Sequence, residues 1–134
     1  MIYQLHISRP PSVNTLYGIT RRGIKYITKK GKDWFTENLW EVKRQLPQVK
    51  ALRECEVEIK LKAIQLDVDN SLKACFDLLT QSGVIEDDQY IMRLVITKEI
   101  VHHRIDEGLD IIISTHYDNY KSGKQSRRMV KSRT

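Results

Sequence analysis

The sequence predicts an α+β domain of two layers, with two main helices packed on one sheet that is mostly antiparallel or mixed. Three observations predict it. Stretches with period two, the mark of half-buried strands, are interspersed with stretches whose apolar residues recur every three or four positions, the mark of one helical face. Two of the helical stretches are long enough to be main helices. At 134 residues the chain suits one domain, and a fold of that size buries about two-thirds of the surface its unfolded chain exposes. A core therefore needs neither disulfides nor a structural metal.

Each element follows from its pattern. Ile2, Gln4 and His6 alternate with Tyr3, Leu5 and Ile7 as a first strand. Pro10-Pro11 stops it, because proline cannot donate to a ladder. A loop through Gly18 and Gly23 leads to a short strand at Ile24–Ile27. Phe35, Leu39, Val42 and Leu46 share one helical face, and Pro47 limits that helix. Cys55, Val57, Ile59 and Leu61 alternate with charged residues as a half-buried strand. Asn70 is placed to cap a helix over Ser71–Ser82 whose apolar face is Leu72, Cys75, Phe76 and Leu79, with Gly83 at the C′ position. Strands are expected near Tyr90–Glu99 and Leu109–Thr115. Residues 1–118 then form the domain, and 119–134 a flexible basic tail with too few apolar residues to pack.

Composition excludes several classes. With 40% apolar residues and no run near the roughly 18 a membrane span needs, no membrane partner is expected. The N-terminus lacks a basic-then-apolar signal sequence. Cys55 and Cys75 are too few for a disulfide framework or a zinc site and read as buried thiols in a reducing, cytoplasmic compartment.

The net charge of +6 is unevenly spread. The tail holds Lys121, Lys124, Arg127, Arg128, Lys131 and Arg133 without an acid, and the remainder of the chain is balanced. A second acid-free cluster comprises Arg21, Arg22, Lys25, Lys29, Lys30 and Lys32. Residues 63–91 are the opposite: Asp67, Asp69, Asp77, Glu86, Asp87 and Asp88 against Lys73 alone. An acidic centre between basic arms suits an enzyme that grips a polyanion and sets metal ions against it; a solvated surface is the plain alternative.

Within Leu66-Asp67-Val68-Asp69-Asn70, an extended backbone would present Asp67 and Asp69 to one side. A helix and turn can bring Asp87 or Asp88 back beside them. Three close carboxylates repel unless a cation sits among them, and hard oxygen donors suit Mg²⁺, with Mn²⁺ substituting. Lys73, in the first turn of the helix, can meet phosphate or the attacking water; its structural alternative is an i,i+4 ion pair with Asp77. An EF-hand is excluded, since counting from Asp67 the sixth and twelfth positions are Leu72 and Leu78.

With these residues in view, the chain resembles the RusA-type Holliday junction resolvases, small endonucleases usually encoded by phages and prophages. The resemblance rests on Pro10-Pro11-Ser12-x-Asn14 with Tyr17, on Asp67-x-Asp69-Asn70-x-x-Lys73, on Phe76-Asp77, Gly83 and Asp87-Asp88, and on the Gly108-Leu109-Asp110-Ile111 strand, over about residues 2–114. It implies metal-binding roles for Asp67, Asp69 and Asp88, with Asp87 as second choice, and an essential role for Lys73. It also implies Mg²⁺-dependent symmetric cutting of four-way DNA junctions by a homodimer, without a small-molecule cofactor. Paired nicks in a two-fold substrate independently call for two identical sites. The family's arginine run ahead of Asp-x-Asp is replaced here by Lys62-Ala63-Ile64-Gln65-Leu66, so DNA contact is expected from Arg21, Arg22, Lys25, Lys29, Lys30 and the tail.

Trp34 and Trp40 are expected in core or dimer packing, Tyr17 and Tyr26 are weaker candidates for base stacking, and Asn14 is expected to fix a loop near the site. No chemistry is assigned to the four histidines. The alternatives to a junction resolvase are a less selective nuclease on branched phage DNA and a non-catalytic DNA-binding protein.

Overall fold

The computed structural model describes residues 1–65 and 69–115, with the backbone alone described at positions 13, 14 and 69–71. Its strands are β1 (Ile2–Ile7), β2 (Tyr17–Ile19), β3 (Lys25–Ile27), β4 (Cys55–Ala63), β5 (Ile91–Ile100) and β6 (Gly108–Thr115). Its α-helices are α1 (Val13–Leu16), α2 (Lys29–Gln45) and α3 (Asp69–Gln81), with 3₁₀ turns at Asp88–Tyr90 and Arg104–Asp106. The main sheet has the order β1-β6-β4-β5. Its β1–β6 and β4–β6 pairings are antiparallel, and β4–β5 is parallel. The expected two-layer α+β fold with two main helices and a mixed sheet is the one observed.

The inward residues are those the alternation marks. Val57, Ile59 and Leu61 of β4 face the same side as their β6 partners Ile113, Ile111 and Leu109, and all six are buried. Leu5 and Ile7 of β1 continue that layer. From α3 come Ala74, Cys75, Leu78 and Leu79, and from α2 Trp34, Phe35 and Val42. The opposite sheet face carries Glu58 and Lys60. Burial raises both thiols, Cys55 to about 11 and Cys75 to about 12, and both are free, as expected from the sequence. Among the described residues no helix is long and apolar enough to cross a membrane.

Side chains of α2 close the free edge of β1. Gln45 accepts from the His6 N–H at 2.7 Å and donates to the His6 carbonyl at 2.6 Å. Buried Asn38 accepts from the Ser8 N–H at 3.0 Å, and the Trp34 indole donates to the Ser8 carbonyl. An exposed sheet edge is thereby satisfied without another strand.

Helix α3 ends in a Schellman motif. The Gly83 N–H reaches the Thr80 carbonyl at 3.1 Å and the Val84 N–H the Leu79 carbonyl at 3.0 Å, with Gly83 at φ 79°. That left-handed position needs glycine, and Leu79 packs with Val84 inside. The chain thus turns sharply off α3 towards the acidic pair and β5.

Three sequence expectations are corrected. Tyr17–Ile19 is a strand, not loop: it pairs with β3 in a separate hairpin whose Thr20–Gly23 turn closes with Gly23 at φ 81°. Helix α3 opens at Asp69, so Asn70 is its second residue rather than its cap. The first four N–H groups of any helix lack intrahelical acceptors, so the sequence leaves open which residue opens it. Trp34 is in the core, but Trp40 is 64% exposed on the outer side of α2, which removes core packing for it and leaves dimer packing as its expected role.

Candidate active site

The β4–α3–β5 unit is a crossover between adjacent parallel strands. The Asp-x-Asp segment sits where β4 gives way to α3, and Asp87-Asp88 where the chain returns to β5. Asp69 opens α3, and the extended geometry expected for Asp67 and Asp69 falls on residues outside those described. Along α3, positions 69, 73 and 77 recur every four residues on one helical face. Asp67 and the Asp69 side chain lie outside the described residues, as does the side chain of Asn14.

The described part of the site begins with Lys73 and Asp77. Their Nζ–Oδ2 distance is 3.9 Å, a loose i,i+4 pair that leaves the ammonium 57% exposed. The Tyr17 hydroxyl donates to the same Asp77 oxygen at 3.3 Å, and burial together with the Asp77 charge raises the Tyr17 pKa. Lys25 Nζ stands 4.3 Å from the centre of the Tyr17 ring, a cation–π contact. A chain of contacts therefore runs from α3 through β2 into the basic hairpin.

Asp88 is within electrostatic range of the same group. Its carboxyl is raised from its ordinary value by a hydrogen bond with Asp87, by slight desolvation and by the Asp87 and Asp77 charges, while Lys73 pulls it down. Asp87 is engaged otherwise: it caps the 3₁₀ turn, accepting from the Gln89 N–H at 3.1 Å, and is held low chiefly by that backbone. Of the two neighbours Asp88 is the more exposed and feels the charges of Asp77 and Lys73, and Asp87 is the local cap. Among the described residues no three His, Cys, Asp or Glu side chains converge as a metal cluster. The described donors are hard oxygens with like-charge repulsion among them, the chemistry that Mg²⁺ or Mn²⁺ satisfies.

Arg21 and Arg22 form the hairpin turn, Lys25 lies on β3, and Lys29 and Lys30 open α2; all are exposed. Cations at a helix N-terminus oppose the macrodipole, and the first turn of α2 holds no acid. Thr28 caps it instead, accepting from the Gly31 N–H at 3.1 Å. Lys29 also pairs with Asp33 at 3.2 Å. Tyr26 is half-exposed and its ring lies over Gly18, where any side chain would collide with it. Lys121, Lys124, Arg127 and Arg128 lie outside the described residues.

One of these links escapes a reading of the sequence. The spacing of residues offers Asp77 only as a partner for Lys73, and Tyr17 only as a stacking surface. Their meeting depends on α1, just ahead of Tyr17, packing on α3, which no local pattern encodes.

The family model described as endodeoxyribonuclease RusA matches residues 9–114, which makes the chain an endodeoxyribonuclease, an enzyme that hydrolyses phosphodiester bonds of DNA. A search of curated proteins gave no match. With most of its length matched, the chain belongs to the RusA family and is a Holliday junction resolvase, acting on branched DNA.

Proposed function

We propose that the chain resolves four-way junctions as a homodimer, by paired symmetric nicks that depend on Mg²⁺, with Mn²⁺ as a substitute. What supports this reading is that Asp88 feels the charges of Lys73 and Asp77, which stand about one and two helical turns from the position of Asp69 on α3. Asp67, Asp69 and Asp88 are the residues we assign to the metal. When bound, a divalent cation supplies a Lewis acid for the phosphate and a water of lowered pKa.

The protein's own groups do the remainder. Lys73, held loosely by Asp77, offers its ammonium to a phosphate oxygen of the scissile group. Asp87 keeps the acidic turn in shape through the Gln89 N–H. The hairpin cations and the first turn of α2 grip phosphates on either side of the cut, and the 119–134 tail extends that grip.

A gel comparing a synthetic four-way junction with linear duplex, with and without Mg²⁺, tests the reading. Asp69→Asn and Asp88→Asn should abolish cutting while junction binding is retained or strengthened, because each removes a charge that repels phosphate. Asp87→Asn should still cut. Normal cutting by Asp88→Asn would refute the assignment.

A further inference from the structure

We propose that Arg9 and Glu107 are positioning residues for the metal-binding segment, forming a clamp on the last residues before it. The clamp rests on the metal site proposed above, and it is built from described atoms alone. Arg9 follows β1 and Glu107 precedes β6, each two residues beyond the Ile7–Leu109 pairing of those strands. The Arg9 Nη1 donates to Glu107 Oε2 at 2.7 Å, and the side chains are only 29% and 16% exposed. The same carboxylate oxygen accepts the Ile64 N–H at 2.9 Å. The other arm of the guanidinium, Nη2, donates to the Gln65 carbonyl at 3.0 Å.

One ion pair therefore takes hold of two successive residues of the chain just past the end of β4. Gln65 is two residues ahead of Asp67, a chain reach of about 7 Å. On the far side, α3 begins at Asp69. The clamp thus sets where the chain leaves Gln65 towards Asp67.

Neighbouring contacts fix the clamp in turn. Ser8, adjacent to Arg9, is held by Asn38 and Trp34 of α2. A half-buried ion pair is a poor source of stability compared with an apolar pair. What it offers here is geometry, since a planar fork can bridge a carboxylate and a carbonyl at once and a lysine cannot.

The test uses Mn²⁺ binding to the DNA-free protein, followed by calorimetry or by the Mn²⁺ spin-resonance signal. Arg9→Lys keeps the charge but not the fork, and Arg9→Met with Glu107→Leu replaces the pair by apolar side chains. Each should weaken Mn²⁺ binding roughly 10- to 100-fold, the usual cost of removing groups that orient metal ligands. Amide exchange at Ile64 and Gln65 should quicken, and junction affinity in EDTA should stay at the wild-type value. Glu107→Gln retains an acceptor for Ile64 and should recover part of what Glu107→Ala loses. Wild-type Mn²⁺ affinity in a folded Arg9→Lys protein would overturn the clamp and leave the metal site standing. A wild-type protein that takes up no Mn²⁺, or takes it up equally as Asp67→Asn, would overturn the metal site and with it the clamp's role.

Discussion

Lys73→Ala separates chemistry from architecture at a single side chain. The structural alternative for Lys73 is its pair with Asp77, and the geometry bounds what that pair contributes. At 3.9 Å, with the lysine 57% and the aspartate 33% exposed, it falls among surface i,i+4 pairs worth about 0.3–0.5 kcal/mol. For a domain of this size the midpoint of thermal unfolding should then fall by no more than about 2 °C. A positive group aimed at developing charge is worth far more, a loss of about 10²–10³ in rate, or about 2.7–4 kcal/mol of barrier. The assay is single-turnover cutting of a labelled four-way junction at saturating enzyme, beside a melting curve for each variant. Lys60→Ala is the control, since Lys60 makes an exposed pair with Glu99 at 3.1 Å and is not among the residues assigned to metal or DNA. It should match Lys73→Ala in stability while cutting normally at saturation. Lys73→Ala cutting within about threefold of wild type would refute the catalytic role. A stability loss of several kcal/mol in Lys73→Ala would refute the weakness of the pair.

Two further predictions rest on separate parts of the molecule. Arg21→Ala with Arg22→Ala at the hairpin turn should lower the slope of log K against log salt for junction binding by about 1.8, at about 0.9 for each phosphate no longer neutralised; an unchanged slope would remove the turn from the DNA interface. Asp110 bonds His6 Nδ1 at 2.7 Å and Lys62 Nζ at 2.9 Å. Burial works upward on its pKa, but those two partners outweigh it and hold the carboxyl low. A depressed carboxyl stabilises the fold above its unfolded value, near 3.9, and that contribution fades as pH falls through the lower folded value. Denaturation midpoints of wild type and Asp110→Asn should accordingly differ at pH 7 and converge below about pH 4; a constant difference across that range would refute the linkage.

The sequence alone determined the two layers, the inward faces of β1, β4 and β6, and the order of the main helices and sheet strands. Alternation over Cys55–Leu61 and the spacing of Phe35, Leu39 and Val42 are local signals, because strand and helix periods decide which side chains share a face whatever the rest of the chain does. Gly83 was legible for the same reason, its left-handed turn being a property of a few consecutive residues. Contacts between distant segments were not legible. That Asp87 is the neighbour that caps the 3₁₀ turn, leaving Asp88 exposed and under the charges of Lys73 and Asp77, is set by the fold of that turn. That Tyr17 reaches Asp77 follows from α1, just ahead of it, packing on α3, and that Arg9 and Glu107 close on Ile64 and Gln65 follows from β6 standing between β1 and β4. Strand order is chosen by burial of the whole core, a sum over the chain that no local stretch of residues contains.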